Sequence, residues 1–311
     1  MMPKFIQPLS AVLLGVLAIA LLGLSSAPVR AACPGPFVFD DRLEIGVSDR
    51  IGNFRIDALE IQHPHLFVPV DSFGVCGDVT FDPLVVFGSE VVDGVNPTLA
   101  DQIEDLELNL VVEHNPMTQL DDQTSCSSVY DTDCDSPTQC QAPELDDLVS
   151  QAPYTVQGSD ICLGEIDGLY EMPWPDGRTT DPNEPEAGNH GCFVTEESSL
   201  TLQLAFDDTE VEIPLVDVVV AAAFNDQPAD RLDEGVIVGF LTQEAADDIV
   251  FSVDTDLGEF EFNLGQDILP SGDGFSSCEP RSQCSGIEAR AVHEGDCGWW
   301  FVLNFEGQRQ G

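Results

Sequence analysis

The sequence predicts an all-β protein: an antiparallel β-sandwich, or a flattened barrel, with two short helices and a long disulfide-rich loop insertion. Three observations carry this expectation. Apolar residues alternate with period two in several separate runs, helix signals are confined to two short segments, and ten cysteines follow an export-type leader.

The leader comes first. Lys4 supplies a positive start, and residues 11–24, AVLLGVLAIALLGL, are uninterrupted apolar or small. That run suits a signal peptide and is short for a membrane span. Val29 and Ala31 are the small residues before the cut, which makes 1–31 the signal peptide and Ala32 the first mature residue. A lipoprotein signal ending at Cys33 fits less well, because Arg30 precedes it and lipidation would leave nine other cysteines. The expected destination is extracellular, cell-surface or periplasmic, with no membrane span in the mature chain.

The strands are read from their faces. In EDLELNLVVE, Leu106, Leu108, Leu110 and Val112 share one side; in SLTLQLAF it is Leu200, Leu202, Leu204 and Phe206. GEFEFNL aligns Phe260, Phe262 and Leu264, and GWWFVLNFE aligns Trp299, Phe301, Leu303 and Phe305. Such runs are half-buried antiparallel strands. Asp207-Asp208-Thr209, before EVEIPL, reads as a hairpin turn. The helices are NPTLADQIEDL (96–106), with Asn96 as its cap and Pro97 in its first turn, and QEAADDI, capped by Thr242 with Glu244 in its first turn.

Residues 114–198 break the alternation and are dense in Pro, Gly, Asp, Ser and Cys. They are expected as a cysteine-rich acidic insertion in a β-domain formed by 32–113 and 199–311, held by disulfides because it lacks a core of its own. The ten cysteines are Cys33, Cys76, Cys126, Cys134, Cys140, Cys162, Cys192, Cys278, Cys284 and Cys297. An even number in an exported chain implies full oxidation. If Cys33 pairs with Cys76, parity requires a bridge between the middle group and the C-terminal group.

Charge narrows the partners. Without residues 1–31 the chain has eight arginines, no lysine and 57 acids, a net charge of −49. Such a surface repels nucleic acid and anionic lipid, and screening by salt should stabilise it. Its acids read chiefly as a solvated coat.

Within the insertion, SVYDTDCDSPTQC places Asp131, Asp133 and Asp135 at alternate positions. An EF-hand-type loop needs Gly at its sixth position and Glu at its twelfth. Here those positions hold Ser136 and Ala142, and Glu144 arrives two residues late. The reading is an acidic turn held by disulfides; calcium is the ion that Asp131, Asp133, Asp135 and Glu144 would take. Tyr170 and Trp174 are candidate ligand contacts, since aromatics on loops stack on sugar rings or anchor partners. His63 and His65 in QHPHLF have an HxH spacing that can chelate zinc or copper, with His114 the nearest further histidine; we read them as surface histidines.

The chain has no G-x-S-x-G, HExxH or P-loop, and among so many acids a glycosidase-like carboxylate pair carries no signal. The function expected is therefore a secreted non-catalytic binding or surface protein, presenting the acidic loop to divalent cations, a glycan or a protein partner. The alternative is a secreted carboxylate-dependent hydrolase.

Overall fold

Eight antiparallel strands hydrogen-bond in the order in which they occur along the chain, and the last returns to the first. The computed structural model describes residues 33, 51–69, 76–81, 84–86, 90–92, 94–141, 144–158, 161–164, 181–206, 209–255, 258–270 and 290–310. The staves are β1 (Gly52–His63), β2 (Leu110–Asn115), β3 (Thr124–Asp131), β4 (Leu148–Gln157), β5 (Cys192–Thr195), β7 (Thr209–Phe224), β8 (Arg231–Thr242) and β10 (Asp296–Arg309). Closure runs from Phe54↔Arg309 to His63↔Val302. The expected β fold is thus a closed up-and-down barrel. Two further strands lengthen its staves: β6 (Ser198–Phe206) pairs with β7 beyond the end of β5, and β9 (Arg290–His293) pairs with β10 beyond the end of β1.

Residues 114–198 are not an insertion. They supply β3, β4 and β5, three of the eight staves. Their inward residues are mostly small or polar, so the apolar alternation that marks the other strands is muted. The inward faces of β2 to β5 carry Val112 and His114, Ser125, Ser127 and Val129, Ser150, Ala152, Tyr154 and Val156, then Phe193 and Thr195. Across the ring, β1, β8 and β10 point Phe54, Ile56, Leu59, Ile61, Ile237, Leu241, Trp299, Phe301, Leu303 and Phe305 into the core. Each such side chain contributes about 1.5–3 kcal/mol by burial. Gly235 makes room for them: a Cβ there would collide with the Phe305 ring.

One end is covered by the β6–β7 ribbon. Its Leu200, Leu202, Val211, Ile213 and Leu215 join the core together with Val95, Leu99 and Ile103 of α1 (Val95–Glu104). Asn96 does not cap α1. The helix starts from Gly94, and the buried Asn96 side chain clasps β1 instead, accepting from Ile61 N at 2.7 Å and donating to Ile61 O at 2.9 Å. The strand expected from residue 104 begins only at Leu110, because Leu106 takes φ 63° just after the helix. Buried Arg55 secures the helix end, its guanidinium donating to Ile103 O at 2.5 Å and to Asn109 Oδ1 at 3.1 Å. A cation is favourable at a helix C-terminus. The second helix, α2 (Gln243–Asp248), is capped as its sequence predicts, Ala245 N donating to Thr242 Oγ1 at 3.2 Å.

The bridges are Cys33–Cys126, Cys134–Cys140 and Cys162–Cys192. Cys33 therefore does not pair with Cys76, and the middle group needs no partner in the C-terminal one. Cys297 is also disulfide-bonded, and no cysteine among the described residues is free. Cys278 and Cys284 lie outside the described residues. No helix among the described residues is long and apolar enough to cross a membrane.

Candidate functional site

The acidic turn is a small hairpin. Asp131 ends β3 opposite Leu110, and strands Cys134–Ser136 and Gln139–Cys140 pair within the Cys134–Cys140 bridge. Asp133 and Asp135 are exposed, and Asp133 contributes its backbone carbonyl, accepting from Gln141 N at 2.8 Å. Glu144 is exposed, and its backbone N–H donates to Asp147 Oδ2 at 2.7 Å. Among the described residues no three His, Cys, Asp or Glu side chains gather closely enough to hold a metal ion, so Asp131, Asp133, Asp135 and Glu144 are not brought together. Tyr170 and Trp174 lie outside the described residues.

The HxH histidines are buried rather than on the surface. His63 and His65 are both fully buried, and His65 Nδ1 lies 2.6 Å from Asp78 Oδ2. Asp78 Oδ1 also accepts from Thr80 N, and Thr80 Oγ1 accepts from Leu66 N, so the histidine belongs to a network that fastens the end of β1. The HxH spacing does not reveal this, because Asp78 and Thr80 come from a later segment of the chain.

His114 is a centre that no spacing along the chain marks out. It sits on the inner face of β2 and is fully buried. Four aromatic rings surround it, with centroids at 4.5 Å for Tyr154 and Phe193, 5.9 Å for Phe54 and 6.0 Å for Phe224. Burial depresses its pKa to about 3, which keeps the imidazole neutral at physiological pH and makes it a poor general base. Neither ring nitrogen has a hydrogen-bond partner among the described residues. The same holds for the hydroxyl of Ser127, its cross-strand neighbour. Burial also pushes the Tyr154 phenol up to about 12, while its oxygen accepts from Thr118 N at 3.0 Å.

Above this cluster the loops are tied to one another. Met117 is buried over Gly52, whose Cβ position its sulfur would obstruct. The Gln119 amide reaches the β7–β8 hairpin, donating to Asp226 O at 2.7 Å and accepting from Ala229 N at 3.0 Å. Asp121 accepts from Gly158 N at 2.7 Å. Cys33–Cys126 and Cys162–Cys192 fasten the same end, at the starts of β3 and β5.

Glu113 and His293 lie outside the lumen. Glu113 is buried, and desolvation raises its carboxyl pKa against a hydrogen bond from Asn115. His293 Nε2 lies 2.9 Å from Asp217 Oδ2, with Trp300 and Phe240 packed on the imidazole and the pair partly open to solvent. No family model, curated protein or solved structure matches this chain.

Proposed function

We propose that this chain is an exported, non-catalytic binding protein whose barrel presents fastened loops at one end to a glycan or a protein partner. The observation that supports it most is the concentration of ties there: the Gln119 bridge, the Asp121–Gly158 bond and two disulfides all secure one set of loops. Loops held on a rigid scaffold lose less entropy on binding. Tyr170 and Trp174 fall in the connection between β4 and β5, which leaves from this end, and in this reading they are its anchors. The disulfides agree with an oxidising destination. The acidic surface disfavours nucleic acid and anionic lipid.

The test is binding of the mature chain to a glycan array and to candidate surface proteins, repeated with Trp174→Ala. Loss of a central aromatic anchor should weaken the interaction about tenfold or more. Binding that is unchanged in Trp174→Ala, or no binding in either screen, would sink the proposal. Divalent cations form a separate arm. If the hairpin takes calcium, calcium should raise the melting temperature above sodium at equal ionic strength, and Asp133→Asn should remove the difference.

A further inference from the structure

We propose that the lumen beside His114 and Ser127 is a binding site for one small uncharged molecule that both donates and accepts hydrogen bonds. His114 is 0% exposed and Ser127 3%, and they face each other in register across the β2–β3 ladder on the inner face of the barrel. Both imidazole nitrogens and the serine hydroxyl lack a partner among the described residues. A neutral imidazole always carries one N–H donor and one lone-pair acceptor, and a hydroxyl can do either. Antiparallel neighbours hold their Cβ atoms about 5 Å apart. His114 and Ser127 therefore bring unpaired polar atoms to neighbouring positions on the lumen wall, the hydroxyl beside one edge of the imidazole, whereas buried polar groups in folded proteins are as a rule paired.

The wall around them carries smaller side chains than the opposite wall. Ser125, Ser127 and Ala152 face the lumen here, where β10 carries Phe301 and Phe305 on the other side. The chemistry of the occupant follows from the lining. A neutral imidazole offers no charge to an anion. One imidazole and one hydroxyl are too few donors for a metal ion, and no group of three ligating side chains forms among the described residues. Tyr154 and Phe193 lie 4.5 Å from the imidazole, which restricts the occupant to something compact and suits a flat one. A five-membered nitrogen heterocycle or a small amide belongs to this class, and water is its smallest member.

The experiment is nitrogen NMR of the full mature chain with labelled histidine at pH 7, using pyrazole as the probe. Pyrazole is uncharged at this pH and carries one donor beside one acceptor. Of the five histidines, His114 is identified by the signal lost in His114→Phe, or, if that variant does not fold, by a widely split neutral pattern that persists as the pH is lowered to 5. Pyrazole should shift the His114 ring nitrogens saturably, and Ser127→Ala should weaken the saturation about fivefold, the worth of one hydrogen bond. A magnetisation transfer from water to the His114 ring N–H, without a response to pyrazole, would assign the site to solvent. Neither response would overturn the proposal, leaving the N–H directed at an aromatic ring. The lumen is separate from the loop surface, so a failed glycan or protein screen does not bear on this result.

Discussion

On one side of the barrel Trp299, Phe301, Leu303 and Phe305 fill the lumen; on the other, Ser125, Ser127, Ser150 and Ala152 stand at equivalent inward positions. Both walls alternate in and out with the same period and use the same antiparallel ladder. They differ in what holds them. The large wall gains from burial of apolar area, whereas the small wall relies on pairing hydroxyls and backbone groups: Ser150 Oγ meets Ser198 Oγ at 3.1 Å, and Thr195 Oγ1 accepts from Val220 N at 2.9 Å. A stave needs an inward face that fits, and bulk is only one way to fit.

The largest expected difference between the walls is the cost of truncation. Trp299→Ala or Phe305→Ala should cost about 3–5 kcal/mol in urea denaturation, by lost transfer energy plus a cavity. Ser127→Ala, on the small wall, should stay within about 1 kcal/mol of wild type. Equal losses on the two walls would mean that the hydroxyl-lined side is packed as tightly as the aromatic one.

Acid should act on the small wall next. His114 is neutral in the fold with a pKa of about 3, against an ordinary value of 6.5. The unfolded chain therefore binds the proton first as pH falls. Stability is fully present above the ordinary value and declines below it by about 1.4 kcal/mol per pH unit until the folded value is reached. His114→Phe should remove this share of the acid slope between pH 6 and pH 4. An unchanged slope would mean that other groups govern it.

Glu113, on the outer face of the same wall, should act in the opposite direction. Its raised pKa makes the folded state the tighter proton binder, so its penalty appears above the ordinary carboxyl value and is relieved in acid. Glu113→Gln should stabilise the protein at pH 7 by about 1 kcal/mol and not at pH 4. Destabilisation at pH 7 would show that the carboxylate is wanted there. Smallest is the loop tie: Gln119→Ala should cost about 1 kcal/mol and speed amide exchange in residues 225–230, leaving the large wall untouched.

Legibility in the sequence follows the same division. The face of β10 was readable because Trp299, Phe301, Leu303 and Phe305 are large and alternate, and the α2 cap was readable because Thr242 acts on residues next to it. The strands TSCSSVYD and LVSQAPYTVQ resembled loop, since serine, cysteine and proline are also the residues of turns. His65 reads as surface until Asp78 is placed beside it, and Asn96 reads as a cap until Ile61 arrives from β1, contacts that depend on tertiary structure. The centre at His114 was hidden for a related reason. Its meaning lies in Ser127 and four rings drawn from other strands, and no spacing along the chain records them. The alternate aspartates were conspicuous in the sequence, yet the fold gives them a hairpin and does not gather them.

The ring of strands has a consequence for how the chain is made. Its meander joins neighbours early, each hairpin being able to form as soon as its second strand exists. The final seam joins β1 and β10, the first and the last of the eight staves. Until β10 docks, β1 and β8 are both open edges of the sheet, and such edges recruit other chains. Closure is therefore the last and most distant pairing, the kind that slows folding most. A chain that stopped short of β10 would keep most of its hairpins but leave β1 and β8 without the strand between them.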